Sequence, residues 1–159
     1  AGLLSERLAV HLGGNSDPRF MSGIPESLKF FRIAWLRYSC PSRLGRLLKG
    51  ADAAYLYGKI PRVKPGQRVI PGEVNVAKAG KETLHPCPRK LKHSEWLVKW
   101  WSEPEDLILD PFCGSGTTGL AAMNLGRKSI LIECDERYAE MAARRFDQGH
   151  IFDFLAGIG

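Results

Sequence analysis

Asp110-Pro111-Phe112-Cys113-Gly114-Ser115-Gly116-Thr117-Thr118-Gly119 follows directly on the apolar run Leu107-Ile108-Leu109. A strand that breaks into glycines and threonines at the start of a helix presents bare backbone N–H groups. A ligand can approach such a main chain closely, because Gly114 and Gly116 tolerate backbone angles that residues with a Cβ resist. Glu133 lies 23 residues beyond Asp110, at the end of the next apolar run, Ser129-Ile130-Leu131-Ile132. Two carboxylates at the ends of consecutive strands thus flank one glycine turn.

Three ligand chemistries compete for that turn. A nucleoside triphosphate loop needs a Lys before the Ser/Thr that follows its second glycine, and no Lys stands between Asp110 and Asn124. A dinucleotide fingerprint, G-x-G-x-x-G, is satisfied by Gly114, Gly116 and Gly119 with Glu133 downstream, but it leaves Asp110 without a role. The third is S-adenosylmethionine, whose methionine end carries an ammonium and a sulfonium rather than a pyrophosphate. Asp110 suits that cationic end, and Glu133 suits the two ribose hydroxyls. Either acid alone reads more simply as a turn cap or a solvated strand end; the pair favours ligand binding.

The elements that position these residues follow from pattern. Leu107–Asp110 is short, apolar and β-branched, which predicts a buried parallel strand. Thr117–Leu125 predicts a helix stopped by Gly126. Residues 129–133 predict the next strand. Asp135 predicts the cap of a helix whose Tyr138, Met141, Ala142 and Phe146 share a face. Strand, helix, strand, helix with short joins means an α/β sheet of parallel strands. Upstream, Trp96, Leu97, Trp100 and Trp101 give 93–102 the apolar face of a helix. Residues 7–14, 30–38 and 53–59 read as strands. The last two form an antiparallel pair joined by the long basic connection 39–50. Pro25 predicts a short helix over 26–30, and Asp17–Phe20 reads as a surface turn. Prolines and glycines alternate among Lys and Arg over 60–84, an extended connection with little structure.

Composition bounds the class. The 159 residues are 44% hydrophobic and 25% charged, with four Trp, so the chain supports a core and is not a disordered tail. No apolar run approaches the ~18 residues of a membrane span, and no signal-peptide pattern opens the chain. Lys and Arg exceed Asp and Glu by 23 to 17, a balance suited to a phosphate backbone. Cys40, Cys87, Cys113 and Cys134 contain no C-x-x-C pair, which fits reduced thiols in a cytoplasm. His85, Cys87 and His93 lack the second ligand pair of a zinc site, and no metal is expected.

Asp110–Gly119 resembles, nearly letter for letter, the cofactor motif D-P-F-x-G-S-G-T-T of the DNA amino-methyltransferases, which act on adenine N6 or cytosine N4. His85–Leu97 is similar to that family's H-P-x-x-K-P-x-x-L-x-E-W-L. His85, Pro86, Glu95, Trp96 and Leu97 match, whereas Arg89 replaces the Lys and Lys90 the second Pro. The likeness is strong over 85–146 and faint over 7–59. A motif of this kind ahead of the glycine turn implies the permuted order, with the catalytic half first. That half's signature, D/N/S-P-P-Y/F, does not occur in the sequence: Asp17-Pro18-Arg19-Phe20 has Arg for the second Pro, and Asp110-Pro111-Phe112 is the cofactor motif itself.

The resemblance implies a partial Rossmann-like, S-adenosylmethionine-dependent methyltransferase fold in one domain over 1–159. Residues 1–60 would supply strands on the target-base side, 61–84 a basic linker, and 85–150 the cofactor half. It implies a cofactor site of His85, Arg89, Asp110, Pro111, Phe112, Cys113, Gly114, Ser115, Gly116, Thr117, Thr118, Glu133, Cys134 and Asp135. Phe112 either packs on the adenine or fills core. The catalytic residues stay unknown. The partner implied is double-stranded DNA with a flipped base. Arg37, Arg43, Arg46, Lys49, Arg62, Lys64 and Arg68 are candidates for its phosphates, with solvated surface charge as the alternative reading of each. The setting implied is the cytoplasm of a prokaryote, or a phage-encoded enzyme, in restriction-modification. In the family's sheet the catalytic strand sits between the strands read at 107–110 and 7–14. The 159 residues are therefore expected to be the C-terminal part of a longer enzyme whose catalytic half is a partner. A non-catalytic cofactor- or DNA-binding remnant is the alternative.

Overall fold

The computed structural model describes residues 6–13, 15–62, 66, 69–77 and 89–156, with side chains except those of Phe20, Leu44 and 148–156. His85 and Lys64, both expected site residues, and Arg68 lie outside the described residues, as does all of His85–Pro88. The chain divides into two compact units, Ala1–Gly80 with Lys99–Glu103, and Lys81–Val98 with Pro104–Gly159.

In the first unit, β1 (Arg7–Leu12), β2 (Phe30–Leu44), β3 (Leu47–Gly58) and β4 (Glu73–Val76) form one sheet in the order β1-β3-β2-β4. β3 runs antiparallel to β1 and to β2, and β4 runs parallel to β2. Period-two alternation sends Ala34 and Leu36 of β2, and Ala54 and Leu56 of β3, to one face, where all four are buried. Each buried leucine is worth about 1.5–3 kcal/mol relative to exposure. Phe31 stacks on Trp101 at 5.3 Å between centroids, and the indole Nε1 donates to the Leu8 carbonyl at 3.2 Å.

Three expectations change here. The connection expected over 39–50 is strand: β2 and β3 extend to a two-residue turn at Gly45-Arg46, with Gly45 at φ +59°. That arrangement, glycine first, is the one type II′ hairpins use. Pro41, which has no N–H to give a ladder, falls within a register shift between Arg37 and Ser42, where a bulge accepts it. The helix expected over 26–30 is a turn closed by Leu28 N–H on the Pro25 carbonyl. The helical turn lies earlier, a 3-10 segment at Pro18–Gly23 started by Asp17, whose Oδ1 accepts from Arg19 N–H at 3.0 Å. Finally, the stretch expected to be unstructured contains β4, because Val74 and Val76 pair across from Leu36 and Tyr38.

Asp52 is buried in this sheet, 1% exposed. Its Oδ2 accepts from the Tyr38 hydroxyl at 2.6 Å and faces His11 Nε2 at 3.3 Å, while Lys49 Nζ lies 3.2 Å from Oδ1. Burial alone would raise the carboxyl's pKa; the bonds to His11, Tyr38 and Lys49 outweigh it and hold the group well below the usual carboxylate range.

In the second unit, β5 (Leu107–Asp110) and β6 (Lys128–Leu131) pair in parallel, with Asp110 opposite Leu131. α2 (Thr117–Asn124) and α3 (Glu136–Ala156) alternate with them, the α/β order expected from sequence. Asp135 starts α3, its Oδ1 accepting from Arg137 N–H at 3.0 Å. α2 ends in a Schellman arrangement, with Gly126 N–H on the Met123 carbonyl and Arg127 N–H on that of Ala122. β5 is less buried than expected: Leu107 is 58% exposed, and β6 is its only strand neighbour among the described residues. α1 (Leu91–Trp101) begins two residues before its expected start, and its buried side chains include His93, Trp96 and Val98.

Candidate functional site

The turn between β5 and α2 is folded back onto the end of β6. Ile132 N–H donates to the Asp110 carbonyl at 2.9 Å, and Cys113 N–H to the Ile132 carbonyl at 3.0 Å. These bonds carry the pairing past the strands' formal ends and set the turn beside Glu133. Gly114 (φ +52°) and Gly116 (φ +78°) both take left-handed backbone. At Gly116 two constraints coincide, because a Cβ there would stand 2.9 Å from the Ala142 Cβ of α3. Gly119 has the same packing constraint without the angle: a Cβ would reach 2.7 Å from Phe146 Cζ. The third glycine of the fingerprint therefore serves helix packing rather than the ligand.

Glu133 staples the turn. Its Oε2 accepts from Gly114 N–H at 2.8 Å, and its Oε1 from Asp135 N–H at 2.9 Å. These two backbone donors, Asp135 first and Gly114 second, hold its carboxyl below the ordinary range, so it is charged at neutral pH. Each carboxylate oxygen carries two acceptor sites; Oε1 also meets the Cys134 thiol, so the open site for a ligand hydroxyl is on Oε2. Asp110 accepts from Phe112 N–H through Oδ1 at 3.0 Å, an arrangement that turns the chain sharply after β5.

Between these acids lies an open cleft of about 310 Å³. Asp110, Phe112, Cys113, Gly114 and Ser115 line it from the turn, Thr117 and Thr118 from α2, and Glu133, Tyr138 and Arg89 from the remaining sides. The core reading of Phe112 does not hold, since the residue is 88% exposed beside the cleft. Burial raises the Cys113 thiol's pKa, and the nearby Asp110 and Glu133 carboxylates raise it further; the thiol stays protonated and is no nucleophile. Pro111 is exposed, and Cys134 Sγ lies 3.6 Å from Glu133 Oε1. Gly116 is buried beneath the turn and, like Pro111, Cys134 and Asp135, is not among the lining residues.

Arg145 belongs to this site and carries no motif. From α3 its Nη1 donates to the Ser115 carbonyl at 2.7 Å and meets the Ser115 and Thr117 hydroxyls at 3.2 and 3.3 Å. The only signal in the sequence was position: Arg145 falls one turn after Met141 on the helix face expected to pack.

The cations expected to meet phosphate divide into two groups. Arg37 Nε bonds Glu73 Oε2 at 2.7 Å, and Lys49 is held by Asp52. Arg62 is exposed, its backbone N–H bonded to Glu103 Oε1 at 2.6 Å. Arg43 and Arg46, at the hairpin tip, are exposed and have no ion pair among the described residues.

Comparison with known proteins gives this geometry its context. A family model described as DNA methylase matches residues 57–144, more than half of the chain. The DNA adenine methyltransferase YhdJ of Escherichia coli is 52% identical over 63 residues, 40% of this chain and 21% of that protein. The type II methyltransferase M2.LlaDCHI of Lactococcus lactis is 41% identical over 65 residues, 41% of this chain and 24% of the relative. The matched stretch thus spans about a quarter or less of each curated relative. Among solved structures, the M1.HpyAVI–SAM complex superposes with a TM-score of 0.72 at 25% identity, over 87% of this chain and 73% of that one. The cytosine-N4-specific PvuII DNA methyltransferase has the same fold, with a TM-score of 0.67 at 19% identity, over 88% of this chain and 63% of that one.

Proposed function

The chain belongs to the N6/N4 DNA methylase family, and from that premise we propose that residues 85–150 are the S-adenosylmethionine-binding half of a DNA amino-methyltransferase acting on adenine N6 or cytosine N4. One observation carries the reading. Two carboxylates, Asp110 and Glu133, stand at the ends of adjacent parallel strands on either side of a left-handed glycine turn. Such a site attracts a ligand whose reactive end is cationic and repels a pyrophosphate. The residues present fit S-adenosylmethionine in three respects: Asp110 for the ammonium, the open Oε2 acceptor site of Glu133 for a ribose hydroxyl, and the exposed Phe112 ring as an apolar surface for the adenine. Arg89, and His85 from the stretch outside the described residues, would meet the methionine end.

When bound, that cofactor supplies an electrophilic methyl group. What this chain does is positional. Glu133 keeps the Gly114 N–H and the start of α3 in register, and Arg145 ties α3 to Ser115 and Thr117. The site is thereby held before any ligand arrives. The sheet of residues 7–58 would lie on the target-base side, with duplex DNA, one base flipped out, as substrate. The D/N/S-P-P-Y/F signature is missing from the sequence, and among the described residues β1 and β5 each have a single strand neighbour. Each thus offers an edge to which a further strand can add, and we assign that place to the catalytic half of the same enzyme. The setting proposed is the bacterial cytoplasm.

Calorimetric titration with S-adenosylmethionine tests the cofactor assignment. Wild type should bind with a measurable heat, and Asp110→Ala should bind about tenfold or more weakly, the loss of a charge-assisted contact. Equal binding by the two proteins, or none by wild type, would refute it.

A further inference from the structure

The hairpin joining β2 to β3 has features that neither the cofactor site nor the sheet core uses. Its outer rungs pair Ser42 with Lys49, Arg43 with Leu48 and Leu44 with Leu47. At about 3.3 Å per residue, this ribbon is roughly 10 Å long. Residues Ser39–Arg43 and Gly45–Leu48 are exposed, Leu47 at 68% and Leu48 at 69%. Neighbouring residues in a strand point to opposite faces, so the tip is apolar on both sides. From Ser39 to Ala51 the sequence holds Arg43, Arg46 and Lys49 and no carboxylate. The acid nearest the tip, Asp52, is buried and already engaged by Lys49. Arg43 and Arg46 are therefore free to meet anions from outside.

We propose that this hairpin is a DNA-opening wedge: Arg43 and Arg46 seat it on phosphates, and Leu47 and Leu48 enter the base stack. The occupant is duplex DNA, on charge complementarity and fit. A two-stranded ribbon passes into a major groove about 12 Å wide and 8.5 Å deep, and this one has the reach. Apolar side chains at the end of a basic arm are what partly unstack a base step, and a tip apolar on both faces covers both base pairs of an opened step. The proposal rests on the reading of the chain as part of a DNA methyltransferase. It adds the element that would hold the gap left by a displaced base.

Fluorescence anisotropy with two labelled 30-base-pair duplexes, one intact and one carrying an abasic site, tests it. Wild type should prefer the abasic duplex by roughly tenfold or more, because the step it must open is already unstacked. The double variant Leu47→Ser/Leu48→Ser should lose that preference and keep the salt dependence of wild type. Arg43→Ala/Arg46→Ala should keep the preference and flatten the log–log salt slope by about 2. All these side chains are exposed, and thermal melts confirm that the variants fold. Wild type without preference, or a leucine variant that retains it, overturns the wedge. So does sedimentation showing a wild-type dimer that the leucine variant dissociates, since a second copy would then cover the tip. Parallel calorimetry with S-adenosylmethionine separates the failures. Cofactor binding without DNA binding sinks the wedge alone, and an abasic preference without cofactor binding sinks the cofactor reading alone.

Discussion

Replacing Gly116 by alanine tests the physical basis of the site. Gly116 has φ +78°, and its missing Cβ would stand 2.9 Å from the Ala142 Cβ, 3.2 Å from Phe146 Cε2 and 3.4 Å from the Ala142 Cα. Left-handed backbone costs a residue with a Cβ about 1–2 kcal/mol. Overpacking against α3 adds about 1–3 kcal/mol, since part of what is struck is helix backbone. Stiffening of the unfolded chain returns about 0.4–1 kcal/mol. The expected net loss is about 1–5 kcal/mol, centred near 3. Gly126→Ala is the control, because Gly126 has φ +68° with nothing within 4 Å of its absent Cβ. Only the dihedral cost applies there, about 0–1.6 kcal/mol after the same offset. Urea unfolding measures both, and a loss of 3 kcal/mol lowers the midpoint by about 1–3 M at ordinary slopes. Hydrogen exchange of the α2 amides places the loss in this unit. Equal losses in the two variants, or a Gly116→Ala midpoint matching wild type, would refute the packing argument.

Glu133→Gln should weaken S-adenosylmethionine binding by about tenfold, because an amide cannot accept from both backbone donors, and calorimetry checks it. Glu133's folded pKa is depressed, so its support for the turn is complete above the unfolded carboxylate value and fades as pH falls through the folded one; the protection of the Gly114 amide against exchange, relative to its intrinsic rate at each pH, should fall in that direction. Asp52 has the same sign: its stabilisation is whole above the unfolded value of about 3.9 and is lost on acidification, so Asp52→Asn should flatten the acid limb of a Tm–pH profile. An Asp52→Asn profile that keeps the wild-type acid slope would show that the carboxylate is not the titrating group.

Much of the second unit was legible from local sequence. The strand–turn–helix at Asp110–Gly119, the stop at Gly126 and the cap at Asp135 each depend on residues within one or two turns of one another. Such signals reside in neighbouring residue types, so they can be read in order along the chain. The likeness at 85–146 and the matched family stretch at 57–144 overlap for the same reason, since a glycine turn needs particular residues at particular spacings.

What lay beyond the sequence was decided by distant segments meeting. Nothing around Glu133 announces that its partner is the N–H of Gly114, nor does anything around Arg145 point to Ser115, 30 residues away. The basic run 39–50 reads as a loop, because its pairing across Gly45-Arg46 overrides the local signals of Pro41 and two glycines. β4 is invisible in a Pro- and Gly-rich stretch until β2 offers its edge. His11 and Asp52 are 41 residues apart and satisfy one another only once β1 and β3 align. Hydrogen bonds and burial join whichever groups the folded chain brings together, whereas a sequence records directly only what lies within a few residues of each position.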